Sequence, residues 1–128
     1  MGRITHFEIH ADDFDRATKF YAAVLGWEFQ KWDGPAEYVI VTTGPEDKPG
    51  INGGMVKRRH PIDGQAVIAF VCTAAVDNLD DTIAKAEQAG GSVAIPKMPV
   101  PGVGWLVYLK DTEGNTFGAL QPDPSAQM

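Results

Sequence analysis

His6, Glu8 and His10 stand at every second position of an alternating stretch near the start of the chain. On a β-strand that spacing puts all three on one face, with same-face neighbours ~6.5–7 Å apart. Two imidazoles and a carboxylate arranged this way suit two kinds of chemistry. They could converge on one divalent cation, or Glu8 could orient a histidine that acts as a base. The plainer reading is a hydrated strand face on which Glu8 pairs with His10. Aromatic residues form a second candidate set. Trp27, Trp32, Tyr38, Trp105 and Tyr108 fall on or beside predicted strands and could wall a pocket for a planar or hydrophobic small molecule, although most such residues serve as core. Trp105 shares its face with Val107 and Leu109, whereas Tyr108 lies opposite with Leu106. The sequence has no phosphate-cradling glycine loop, nucleophile elbow or Cys/His cluster of zinc spacing.

These residues need elements to place them. Residues 4–11 alternate, with Thr5, Phe7, Ile9 and Ala11 opposite the polar trio, which is the period of a strand. Asp12 or Asp13 can cap a following helix that carries Phe14, Ala17, Tyr21, Val24 and Leu25 inward and stops at Gly26. Strands are predicted over 27–32, 37–43 and 51–58, separated by Asp33-Gly34-Pro35 and by the 44–50 loop. The same order then recurs. The apolar run 66–72 reads as a strand buried on both faces, and Asp77 as the cap of a helix carrying Leu79, Ile83 and Ala86 inward to a stop at Gly90-Gly91. Strands follow over 92–97, 103–110 and 115–121, the last two joined by the turn Asp111-Thr112-Glu113-Gly114-Asn115.

Both halves therefore read β-α-β-β-β, with Gly26 and Gly90 closing equivalent helices. A four-stranded sheet with one helix leaves its second face uncovered, so the halves should pair. The expected fold is α+β: two βαβββ modules, about 4–59 and 65–122, forming one curled mixed-sheet domain around a shared cavity, with 123–128 as a frayed tail.

Composition narrows the partners. The 128 residues are 44% hydrophobic and 22% charged, the mix of a folded domain, and no apolar run approaches the ~18 residues of a membrane span. A net charge of −6 repels nucleic acid and favours a cationic small molecule over an anionic one. Lys57-Arg58-Arg59-His60 is locally basic and reads as a solvated strand end. The N-terminus enters the first strand without an apolar signal region, and the single Cys72 reads as a small buried hydrophobe, so a cytoplasmic setting is expected.

The repeated βαβββ plan resembles the vicinal oxygen chelate superfamily, which includes glyoxalase I, extradiol dioxygenases and the fosfomycin and bleomycin resistance proteins. The resemblance runs from about Ile4 to Pro122. It is most specific in Phe20-Tyr21-Ala22-Ala23-Val24-Leu25-Gly26-Trp27, in Pro101-Gly102-Val103-Gly104-Trp105, and in the 111–115 turn. The latter two are similar to a glyoxalase-like branch described as related to lactoylglutathione lyase, although Thr112 stands where that turn usually has proline.

The resemblance implies a metal held by side chains on four strands. His6 matches the first ligand position, while the others fall at Gly53 or Gly54, near Val67, and at Gly118, none of which offers a donor. The expectation is a glyoxalase-like protein with a small-molecule site and an incomplete metal site, for which the sequence fixes no cofactor and a divalent metal stays open. His6 and Glu8 are the catalytic candidates, His6 the metal candidate, and His10, Trp105, Tyr108, Gly54 and Gly118 the ligand-binding ones. Two glycines facing the concavity would leave room for a ligand or for tight subunit packing. The alternatives are a metal-dependent lyase, isomerase or dioxygenase using His6 with non-standard ligands, a metal-free sequestration protein of bleomycin-resistance type, and an interaction module without ligand. A homodimer is implied by the resemblance.

Overall fold

The computed structural model describes residues 2–59 and 69–127. Among these, eight strands and two helices follow in the order β1 (Arg3–Ala11), α1 (Phe14–Leu25), β2 (Glu28–Lys31), β3 (Val39–Thr42), β4 (Gly53–Lys57), β5 (Val71–Ala75), α2 (Leu79–Gln88), β6 (Ser92–Val100), β7 (Gly104–Lys110) and β8 (Thr116–Pro122). The chain divides into two compact units, His6–Phe70, and Val71–Met128 with Met1–Thr5. Each repeats one plan, which bears out the internal duplication and the α+β class. In the first unit the strand order is β2-β3-β4-β1, and in the second it is the equivalent β6-β7-β8-β5. In both, the first strand pairs in parallel with the last and the remaining pairs are antiparallel, so each sheet is mixed.

In the first unit the alternation of β1 becomes two faces: Phe7, Ile9 and Ala11 are buried, while His6, Glu8 and His10 are half-buried. Asp13 caps α1 by accepting from the Arg16 N–H at 3.0 Å, and Gly26 ends it in the left-handed conformation (φ 71°), where a Cβ would be strained. One expectation for α1 fails. Val24 and Leu25 do not point inward; they are 60% and 53% exposed, and no residue of α1 is fully buried. The contact between α1 and β1 runs through rings: Tyr21 stacks on Trp27 at 5.2 Å, Trp27 meets Phe7 at 5.8 Å, and Phe7 stacks on Phe70 at 5.7 Å.

The basic run is more than a solvated end. Arg58 donates to the His10 carbonyl at 2.9 Å and brings its Nε to 3.4 Å from Asp12 Oδ1, an ion pair without hydrogen-bond geometry. Lys57 donates to the Asp12 carbonyl and lies over the Phe14 ring. The two side chains thus tie the end of β4 to the β1–α1 turn. His60 lies outside the described residues.

In the second unit α2 covers the sheet as expected. Leu79, Val107, Leu109 and Ala119 form a buried cluster flanked by Ile83, Ala86, Trp105 and Phe117. The cap is Asn78 rather than Asp77: its side chain accepts from the Asp81 N–H at 3.0 Å. The fifth strand is displaced from the predicted 66–72. It occupies Val71–Ala75, Phe70 is 45% exposed, and residues 66–68, including Val67, lie outside the described ones. β6 runs on to Val100 despite Pro96 and Pro99, because it is the outer strand of this unit and its register shifts absorb residues that cannot donate. The tail is held rather than frayed. Ala126 is buried and its carbonyl accepts from Gly102, while the Asp123 N–H donates to Val103.

Candidate functional site

The polar face of the first unit gathers residues from three strands. β1 contributes His6, Glu8 and His10. β4 lies beside it with Glu8 opposite Gly54, and β3 lies beyond with Ile40 opposite Gly54. Tyr38, two residues before Ile40, shares that face by parity. It is fixed by the hydrogen bond from the Trp32 N–H to its carbonyl and by an edge-to-face contact with the Trp32 ring at 5.8 Å.

Tyr38 then reaches across Gly54. A Cβ built on Gly54 would overlap the Tyr38 hydroxyl and ring, so only glycine at this strand position lets the phenol lie there. The hydroxyl ends 3.0 Å from His6 Nε2. Glu8 Oε2 is 3.7 Å from the same nitrogen. His6, Tyr38 and Glu8 therefore form one cluster, with the His6 side chain 33% exposed and that of Glu8 14% exposed. Burial raises the Tyr38 pKa well above the ordinary phenol value, and the charge of the nearby Glu8 adds to the effect. The phenol stays protonated at any physiological pH. His10 moves the other way: burial lowers its pKa, Glu8 opposes the shift, and Arg58 and Arg59 reinforce it, so its neutral form is favoured.

The sequence singled out His6 and Glu8 and gave Tyr38 only a general place among the aromatics. The signal that points to Tyr38 is the glycine inside β4, which marks a close approach by another group. The space expected there for a ligand is filled by the protein itself. The same holds for Gly118: a Cβ there would meet Thr73 Oγ1 at 2.6 Å, and Thr73 is the residue opposite it on β5. Trp105 sits on the helix-covered face, beside the core cluster, with its indole N–H donating to Asp123 and Lys97 over its ring. Tyr108 lies opposite Gly118 in the β7–β8 register.

Three of the carried-over ligand positions lie among the described residues, and the one near Val67 does not. His6 Nε2 is engaged by Tyr38, and the carried-over positions Gly54 and Gly118 lack a donor and have their Cβ space occupied. Among the described residues no three of His, Cys, Asp and Glu are grouped as a metal ion would need. Two shallow clefts border the first unit. One, of about 380 Å³, lies beside Tyr38, Lys31, Glu37 and Lys57. The other, of about 430 Å³, lies beside His10, Arg16, Phe20 and Arg58. Among the described residues, no helix is long and apolar enough to cross a membrane.

Comparison with solved structures gives the class of fold. Methylmalonyl-CoA epimerase from Mycobacterium tuberculosis superposes with a TM-score of 0.67 at 14% identity, over 95% of this chain and 89% of that one. This is the fold of the glyoxalase/bleomycin resistance/dioxygenase superfamily. The "Bleomycin resistance protein-like N-terminal" family matches residues 3–44. A "Glyoxylase-like domain-containing protein" of Didymella fabae is 32% identical over 119 residues, covering 90% of each chain. The "Putative glyoxylase CFP32" of M. tuberculosis is 30% identical over 125 residues, which are 96% of this chain and 45% of that protein. The chain thus spans about half the length of the mycobacterial relatives it matches. It belongs to the glyoxylase-like family.

Proposed function

We propose that this chain is a glyoxalase-like protein whose polar β1 face holds a small molecule without a divalent metal, His6 being the residue that would exchange a proton with the bound compound. The observation that carries this reading is the Tyr38 hydroxyl lying across Gly54 and bonded to His6 Nε2. Where the resemblance implies a ligand at the Gly54 position, this chain has a protonated phenol, which serves as a hydrogen-bond partner and is poorly suited to bind a cation. The net charge of −6 and the carboxylate of Glu8 favour a cationic or neutral compound over an anionic one. Sequestration and proton transfer share this site, and turnover of the bound compound separates them. A homodimer in a cytoplasmic setting belongs to the same proposal. Light scattering that returned the 13.8 kDa monomer would contradict the dimer.

The test is metal analysis of tag-free protein together with thermal shift. Added Ni²⁺, Zn²⁺, Mn²⁺ or Fe²⁺ is expected to leave the midpoint unchanged, and cationic aromatic compounds to raise it by binding the native state. Stoichiometric metal that disappears in His6→Ala would overturn the metal-independent reading and favour the lyase, isomerase or dioxygenase alternative.

A further inference from the structure

We propose that Trp32 is a positioning residue for His6: from the end of β2 it stands behind the Tyr38 ring and keeps the phenol hydroxyl on His6 Nε2, so that the turn between β2 and β3 decides whether that nitrogen is held or free. The inference rests on the reading that His6 is the residue that meets the bound compound.

The order of strands puts β3 between β2 on one side and β4, then β1, on the other. Tyr38 precedes β3, and its phenol leans across Gly54 of β4 to His6 of β1, with the hydroxyl 3.0 Å from Nε2. Trp32 follows β2 and extends the β2–β3 pairing by one step, its N–H donating to the Tyr38 carbonyl at 3.0 Å. By parity the two side chains share a face, and the indole meets the phenol edge-to-face at 5.8 Å from the β2 side. The phenol therefore has Gly54 beneath it, His6 at its tip and the indole at its back. The hydroxyl is the atom of Tyr38 farthest from the backbone, so a small rotation about χ1 displaces it most, and a hydrogen bond weakens steeply with such displacement. A rotation that carries the ring away from β1 takes it towards β2, where the indole stands. The indole is held in turn. A Cβ built on Gly34 would overlap its six-membered ring, so the turn 33–37 lays its glycine directly against Trp32. The bond to His6 forms with either neutral tautomer, the phenol donating to a bare Nε2 or accepting from an Nε2–H, so the positioning is independent of the direction of donation. One third of the His6 side chain is exposed, and a small molecule that reaches it meets a ring whose orientation Trp32 has set.

The experiment reads His6 in ligand-free protein, so its failure is separate from any failure to find a compound that binds. Histidine with ¹⁵N in the ring is incorporated, His6 is assigned by its loss in His6→Asn, and spectra are recorded above the ordinary imidazole titration range. The ¹⁵N shift is read because it follows hydrogen bonding and protonation far more than the ring currents of a removed indole. Tyr38→Phe, which lacks the hydroxyl, gives the Nε2 shift with the bond absent. Trp32→Leu is expected to move the resonance most of the way to that position. Trp32→Phe, which keeps an aromatic edge behind the phenol, should leave it close to wild type. His10, on the same strand, should stay in place throughout. Gly34→Ala, which displaces the indole without deleting it, should move His6 as Trp32→Leu does and have no effect in the Trp32→Leu background. An unmoved His6 in Trp32→Leu or in Tyr38→Phe, or an equal movement of His10, would overturn the proposal. So would a further movement on adding Trp32→Leu to Tyr38→Phe. Should Trp32→Leu fail to fold, Gly34→Ala decides alone, and an unmoved His6 there refutes the role.

Discussion

Replacing Gly54 with alanine tests whether this glycine exists to admit the Tyr38 ring. In an ordinary strand the substitution would stabilise by about 0.5–1 kcal/mol, because alanine loses less backbone freedom on folding. Here the new methyl group would overlap the Tyr38 hydroxyl and ring. The phenol must swing away, which breaks its hydrogen bond to His6 and forces an off-minimum side chain. Overpacking of this kind costs about 1–3 kcal/mol, and a half-buried polar group left without its partner falls in the same range. The expected net effect of Gly54→Ala is a loss of about 1–3 kcal/mol. With Tyr38→Ala already in place the ring is gone, and the same methyl should be neutral or stabilising. Urea unfolding of wild type, both single variants and the double variant gives the coupling energy, expected at about 2 kcal/mol. Equal costs for Gly54→Ala in both backgrounds, within about 0.5 kcal/mol, would refute the account of why this residue is glycine.

Other outcomes follow from the same unit. Arg58→Ala removes a charged donor from the His10 carbonyl and the partner of Asp12, and chemical denaturation should show a loss of about 1–3 kcal/mol, with Arg58→Lys recovering only part of it. His10 has a folded-state pKa below its ordinary 6.5, so the unfolded chain binds the extra proton first. Its contribution to stability is fully present above about pH 6.5 and is lost as pH falls from there through the folded-state value. Unfolding free energies measured across this window should fall more steeply for wild type than for His10→Gln; parallel profiles would show that His10 is not the residue responsible.

Much of the architecture is local and could be read from short stretches. The alternation of residues 4–11 reports a half-buried strand because successive side chains point to opposite faces. Asp13 and Gly26 report the ends of α1 because a helix leaves N–H groups free at its start and favours a left-handed residue at its end. The duplication emerged because both halves repeat these signals in the same order. Boundaries were less legible. Asn78 caps α2 one residue beyond the predicted Asp77, and the fifth strand begins five residues later than predicted, at Val71. In both places adjacent residues carry equivalent signals; for the strand, pairing with β8 decides between them.

The site divides along the same line. The sequence alone placed His6, Glu8 and His10 on one face, since three residues on one strand need only the pleat to bring them together. It also showed that Gly54 and Gly118 lack the donors that the resemblance would require. Tertiary structure alone decided what fills those places. Tyr38 stands 32 residues from His6, and its hydroxyl reaches Nε2 only because β3 and β4 pair with Ile40 opposite Gly54 while β1 pairs with Glu8 opposite the same glycine. Such a register is a long-range property of the sheet. A vacancy read from one strand cannot reveal that a side chain from another strand occupies it.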